Sequence, residues 1–131
     1  MSEPLHCMVD AAPTPPAPFH HAVDCGDFLF LSGQIAQDPN NPTAALPPSI
    51  TEQTHQCMRN LRTVLEGFNL SLRHAVSVRI FLNHFDDDYE SMNAAYAEYF
   101  PADRRPVRTT IGVTGLAMAA RVEIDLIARR F

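Results

Sequence analysis

Arg108 and Glu123 are the charged residues whose positions most suggest chemistry. Arg108 closes the run Arg104-Arg105-Pro106-Val107-Arg108, the densest basic cluster of the chain, and is followed by Thr109 and Thr110. Pro106 opens an extended stretch, which puts Arg108 just inside a strand. A guanidinium on such a rigid element presents a planar donor fork that fits a carboxylate. Charge-assisted hydrogen bonds of this kind are worth roughly 1.5–3 kcal/mol each. Arg104 and Arg105 precede the strand and read as loop charges facing water. Glu123 lies between Val122 and Ile124, and alternation turns it to the face opposite those two. A carboxylate on an interior strand needs a counter-ion, for which Arg79 and Arg121 are candidates, or a chemical task. The pattern admits both. Asp125 poses the same choice and reads as ion-paired.

Other chemistries find little support. All ten basic residues are arginine, so a lysine Schiff base with substrate or pyridoxal phosphate is impossible, and any imine must arrive with the substrate. None of the six histidines is spaced i, i+4 and no H-E-x-x-H occurs, so neither a metal nor any other cofactor is expected. No G-x-S-x-G or glycine-rich phosphate loop is present. Cys7, Cys25 and Cys57 form no C-x-x-C pair and read as scattered core or surface thiols. The net charge of −5 argues against nucleic acid as a partner. Apolar runs such as 28–31 are too short for a bilayer, so no membrane contact is expected, and the N-terminus lacks signal-peptide character. A cytoplasmic location is the expectation.

The elements that must position these residues follow from spacing. The 131 residues suit a single domain, 1–131, with a proline-rich N-terminal arm over 1–18. Two strands flank the Cys25-Gly26-Asp27 turn as a hairpin, and the second, Phe28-Leu29-Phe30-Leu31, is apolar on both faces. Ser49 followed by Glu52 predicts a capped helix, with Cys57, Leu61, Val64, Leu65 and Phe68 at helical spacing, ending at Gly67 or Asn69. Residues 75–83 alternate, Val76, Val78, Ile80 and Leu82 sharing one face. Asp87 and Glu90 predict a second helix start, with Tyr89, Met92, Tyr96 and Phe100 on one stripe. Strands over 107–113 and 121–128 complete the order β-β-α-β-α-β-β, an α+β class with a mixed sheet. Two helices cover only one face of such a sheet. The second face calls for another copy of the chain, so an obligate oligomer is expected.

Several segments resemble one family in order and spacing. Residues 28–35, FLFLSGQI, resemble the "VFVSGQI" signature of the Rid/YjgF family. Gln53-Thr-x-Gln56 with Asn60-Leu61 is similar to its first helix, and Asn93-x-x-Tyr96-Ala-x-x-Phe100 to its second. Arg105-Pro-x-Arg108-Thr109 is similar to "RPARS", and Val122-Glu-Ile-Asp-Leu-Ile-Ala128 to the terminal "VEIEAIA". The resemblance runs from about Pro18 to the C-terminus. It implies a chorismate-mutase-like fold of the bacillus type, as a homotrimer with a barrel-like centre and three clefts between subunits. It also implies hydrolysis of 2-enamine and 2-imine acids to 2-keto acids and ammonia. By the same resemblance Arg108 binds the substrate carboxylate and Glu123 handles the attacking water. Ser32 and Gly33 line the pocket, and Thr110 offers backbone contacts. The family's "GPYSQAV" reads Ala17-Pro18-Phe19-His20-His21-Ala22-Val23 here, so the pocket tyrosine becomes Phe19, as in the branch of RutC and aminomuconate-type deaminases. That points to a specialised substrate, with Arg104, Arg105 or His20 available for a second carboxylate. A non-catalytic keto-acid-binding or regulatory module of the same family is the alternative.

Overall fold

Turn chemistry and alternation set up the sheet. In the computed structural model, which describes residues 2–131, strands β2 (Ala22–Asp24) and β3 (Phe28–Gln34) pair antiparallel across the turn at 25–27. Gly26 adopts a φ of 87° there, a left-handed conformation that a side chain disfavours. Its N–H donates to the Asp24 carboxylate at 3.0 Å. The N-terminal arm is more structured than its prolines suggest. Its residues Leu5–Cys7 form β1, which adds to the edge of β2.

Helix α1 (Ile50–Glu66) starts where Ser49 Oγ accepts the Glu52 N–H at 3.0 Å, satisfying one of the first-turn donors. Gly67 caps its end, and Asn69 takes a positive φ two residues later. Helix α2 (Phe85–Ala97) begins two residues before Asp87, with His84 as an N-cap that makes no side-chain bond. Asp86, Asp87 and Asp88 in its first turn favour that end through the helix dipole. Tyr89 is exposed, so the stripe that packs inward is Met92, Tyr96 and Phe100.

Strands β4 (Ala75–Leu82), β5 (Val107–Gly112) and β6 (Val122–Arg129) complete an open six-stranded sheet of order β1-β2-β3-β6-β4-β5. All pairs are antiparallel except β4–β5, which is parallel. The two helices lie on one face, over Leu29, Leu31, Val78, Ile80, Ile124 and Leu126. Val76 does not share that face as its alternation predicts. A register shift between Ala75 and Ser77 turns it outward, at 40% exposure, because an inserted residue inverts the alternation before it. The opposite face carries Phe28, Phe30 and Ile111, which are 40–45% exposed. Fixed ion pairs tie the frame. Arg79 chelates Asp125 on that open face, and Arg121 chelates the buried Asp88 with both contacts under 3 Å, joining β6 to α2.

Candidate active site

Glu123 projects from β6 onto the open face of the sheet, in register with Phe81 on β4. Both arginines that might have neutralised it are committed elsewhere, Arg79 to Asp125 and Arg121 to Asp88. Among the described residues Glu123 therefore has no ion-pair partner. Burial raises its proton affinity above the ordinary glutamate range, and the nearby Asp125 charge adds to that rise. An unpaired, partly desolvated carboxylate of this kind, set in a cleft, is a candidate functional group.

The backbone makes room for it. Between Leu31 and Gln34 the β3–β6 register shifts by one residue, so Ser32 and Gly33 form a bulge beside the acid, a device that commonly re-aims residues at sites. Ser32 Oγ donates to His20 O at 2.6 Å and Ser32 N–H donates to His21 O at 3.0 Å, fixing the bulge to the residues that lead into β2. Around Glu123 lies a cavity of about 220 Å³, to which Ser32, Gly33, Gln34 and Gln37 contribute. Its other wall is apolar, from Pro13, Pro15, Pro16, Phe19 and Ile35. Ala117 closes one end from a turn in which Met118 and Ala119 are held at φ 56° and 53°. Such left-handed non-glycine residues cost energy and gather at functional sites.

Arg108 does not join this cavity. On β5 it is in register with Val78, whose side chain is buried beneath the helices. It therefore sits on the face opposite Glu123, and β4 separates the two strands, a lateral offset of roughly 10 Å for two strand spacings. Its guanidinium lies 5.1 Å from the centre of the Tyr96 ring, a cation–π arrangement. Burial pushes the Tyr96 phenol up to about 12. Thr110, two residues on, shares this face. Thr110 Oγ1, Tyr96 Oη and Asn93 Oδ1 are buried without a hydrogen-bond partner among the described residues, which marks a polar spot beside Arg108. One chain thus holds the expected site residues in two separate places, the candidate half-sites Phe19–Ser32–Gly33–Glu123 and Arg108–Thr110. Arg104 and Arg105 are exposed, and neither they nor His20 line the cavity.

Three polar residues support the first half-site although nothing in their types announces it. Asn60 on α1 is 1% exposed and donates to Ile35 O at 3.1 Å and Gln37 O at 2.9 Å, holding the strand exit that floors the cavity. Gln53 accepts the Arg121 N–H at 2.9 Å and donates to Pro47 O at 2.8 Å. His21 binds the N-terminal arm through both ring nitrogens. Only their place in an apolar helix face or beside a strand hinted that such polar groups had partners to serve. Cys57 is no nucleophile: burial, with Glu123 secondary, pushes its thiol far up. No helix among the described residues is long and apolar enough to cross a membrane.

Residues 9–130 match the family described as Endoribonuclease L-PSP. A RutC family protein of Pyrococcus horikoshii is 35% identical over 117 residues, covering 89% of this chain and 90% of the relative. A 2-iminobutanoate/2-iminopropanoate deaminase of Dermatophagoides farinae is 34% identical over 116 residues, covering 88% of each. The crystal structure of the YjgF gene product from E. coli superposes with a TM-score of 0.85 at 27% identity, covering 95% of this chain and 97% of that one.

Proposed function

Because the chain belongs to the endoribonuclease L-PSP family, that of the Rid and YjgF proteins, we propose that it is a hydrolytic deaminase of reactive 2-enamine and 2-imine acids, releasing 2-keto acids and ammonia. The observation that carries this reading is Glu123: an unpaired carboxylate of raised proton affinity, seated on Gly33 in a small cavity. The relative named as an iminobutanoate deaminase supports the same chemistry.

The two half-sites complete each other across a subunit boundary. Within one chain no substrate reaches both Arg108 and Glu123. The exposed apolar face around Phe30 and Ile111 needs a cover. A cyclic homotrimer covers it and lays Arg108 and Thr110 of one copy against the cavity of the next. Arg108 then binds the substrate carboxylate and fixes C2 near Glu123, lowering the entropic cost of attack. The enamine tautomerises to the imine. Glu123 takes a proton from water as its oxygen adds to C2, and the same proton passes to the nitrogen. The carbinolamine hydroxyl then gives its proton, through Glu123, to the nitrogen as the C–N bond breaks, leaving a carbonyl and ammonia. General acid–base help of this type contributes about 10²–10⁴ in rate.

RNA cleavage fits the site poorly. The net charge is −5, and among the described residues the charged group that one chain contributes to the cavity, Glu123, repels phosphate. The deciding experiment generates imines in situ with an amino-acid oxidase and follows ammonia release against a semicarbazide trap. Acceleration that vanishes in Arg108→Ala supports the deaminase. Tight binding of the keto acid without turnover would instead assign a keto-acid-sensing module.

A further inference from the structure

We infer that the N-terminal segment from Val9 to Phe19, clamped by His21, is the substrate's side-chain subsite and selects 2-imino acids with a bulky apolar side chain. This rests on the deaminase reading and names its substrate class.

The lining chemistry argues it. Pro13, Pro15, Pro16, Ala17, Phe19 and Ile35 are the apolar part of the lining of the cavity that holds Glu123, beside Ser32, Gln34 and Gln37. Three of these are prolines without an N–H, so the wall offers ring faces and little to a polar side chain. Among the described residues of the chain no cation lines the cavity, and the charged group in it is Glu123. A second carboxylate on the substrate would stand against that acid, like charge against like. A dicarboxylate is therefore disfavoured relative to an alkyl or phenyl group. The volume of about 220 Å³, below the roughly 300–1,000 Å³ of drug-sized sites, suits one amino-acid skeleton.

The wall is also preformed. His21 is 3% exposed. Its Nδ1 accepts the Val9 N–H at 2.8 Å, and its Nε2 lies 2.7 Å from Pro13 O. Those partners require a neutral ring with its hydrogen on Nε2. The Ala12 N–H donates to Val9 O at 3.0 Å and closes the turn between the two anchors. The Val9 side chain packs against Gly67 at the end of α1 so closely that a Cβ there would lie 2.9 Å from it. Past the prolines, the Phe19 N–H donates to Ala17 O at 2.8 Å. Five residues of proline-rich chain are thereby held in place without belonging to a helix or strand. His21 touches no substrate and acts as a positioning residue. A wall fixed before binding spends none of the substrate's binding energy on ordering.

The test runs the full-length protein against imines made from alanine, leucine, phenylalanine and glutamate. The leucine- and phenylalanine-derived imines should exceed the alanine-derived one in kcat/KM by at least roughly tenfold, the discrimination an apolar subsite gives per methylene, with the glutamate-derived imine lowest. In His21→Ala the KM for the leucine imine should rise about tenfold and the KM for the alanine imine less than about threefold. His21→Gln, whose amide also accepts from Val9 and donates to Pro13, should restore the wild-type values. Phe19→Ala, which trims the wall without touching the clamp, should give the same split if the alanine variant at 21 fails to fold. Equal rates across the panel, a preference for the glutamate imine, or equal KM changes for both substrates in these variants overturns the subsite while leaving the deaminase. Turnover of no imine overturns the deaminase reading and the subsite with it.

Discussion

The Glu123 carboxylate rests directly on Gly33. A methyl group built on that Cα would stand 2.9 Å from Glu123 Cδ and 3.0 Å from Cγ, with Oε2 nearer still. Glycine at 33 is therefore what lets the acid lie down in the bulge of β3. The opposing atoms are the far end of a flexible side chain, so in Gly33→Ala the carboxylate yields and the fold does not. The expected result is a stability change under about 1 kcal/mol with turnover down roughly 10²-fold, the penalty for misplacing a reacting group by ~1 Å. Denaturant melts beside steady-state imine kinetics check both. An alanine variant of full activity means the seated conformation is not the working one.

Keeping that acid ionised costs folding energy, which fixes the sign of a second prediction. Burial, then Asp125, raises the Glu123 pKa in the folded state. The penalty is absent below the unfolded glutamate pKa, grows as pH rises, and is complete above the raised folded value. Glu123→Gln should therefore melt higher than the wild type at neutral pH, and the difference should fade near about pH 4. The same variant should lose about 10²–10⁴ in rate. In the wild type the acid limb of the pH–kcat/KM profile should fall above the ordinary glutamate range. Asp125→Asn should move that limb to lower pH, since it removes a like charge and frees Arg79. A limb that stays put separates the profile from Glu123.

Asn60 supports the cavity from below. Its amide serves Ile35 O and Gln37 O, and its oxygen accepts Gln56 Nε2–H at 2.8 Å. Asn60→Leu keeps the branched shape, though not the volume, and strands two buried carbonyls. It should cost roughly 2–4 kcal/mol, read as a drop in the urea midpoint at unchanged slope. A loss under about 0.5 kcal/mol means water replaces the amide.

What the sequence made legible follows from what spacing encodes. Ser49 with Glu52, the Gly26 turn and the alternation of 122–128 are local signals, and each appears in the fold where local chemistry puts it. The bulge at Ser32–Gly33 and the outward turn of Val76 depend on how two strands register, which period-two reading cannot see. The same limit governs the site. Alternation places Glu123 on the face opposite Val122, but the face of Arg108 follows from parallel pairing with Val78, a long-range relationship. The role of His21 was hidden because its partners are main-chain groups of Val9 and Pro13, and backbone atoms leave no mark in a residue pattern.

The separation of Arg108 from Glu123 on opposite sheet faces gives the sharpest test of assembly. If each working site takes its arginine from one copy and its acid from the next, Arg108→Ala and Glu123→Gln homotrimers are each dead, yet every mixed trimer contains one interface with both groups intact. Random reassortment makes three quarters of the trimers mixed, with one good site in three, so an equimolar mixture that exchanges subunits should regain roughly a quarter of wild-type activity. Exchange is promoted by mild denaturant and dilution, verified by native mass spectrometry of differently tagged chains, and activity is read as ammonia release. Recovery cannot arise if both groups act within one chain, because no chain in the mixture carries both. Mixed trimers that remain inactive therefore place the working carboxylate or guanidinium elsewhere.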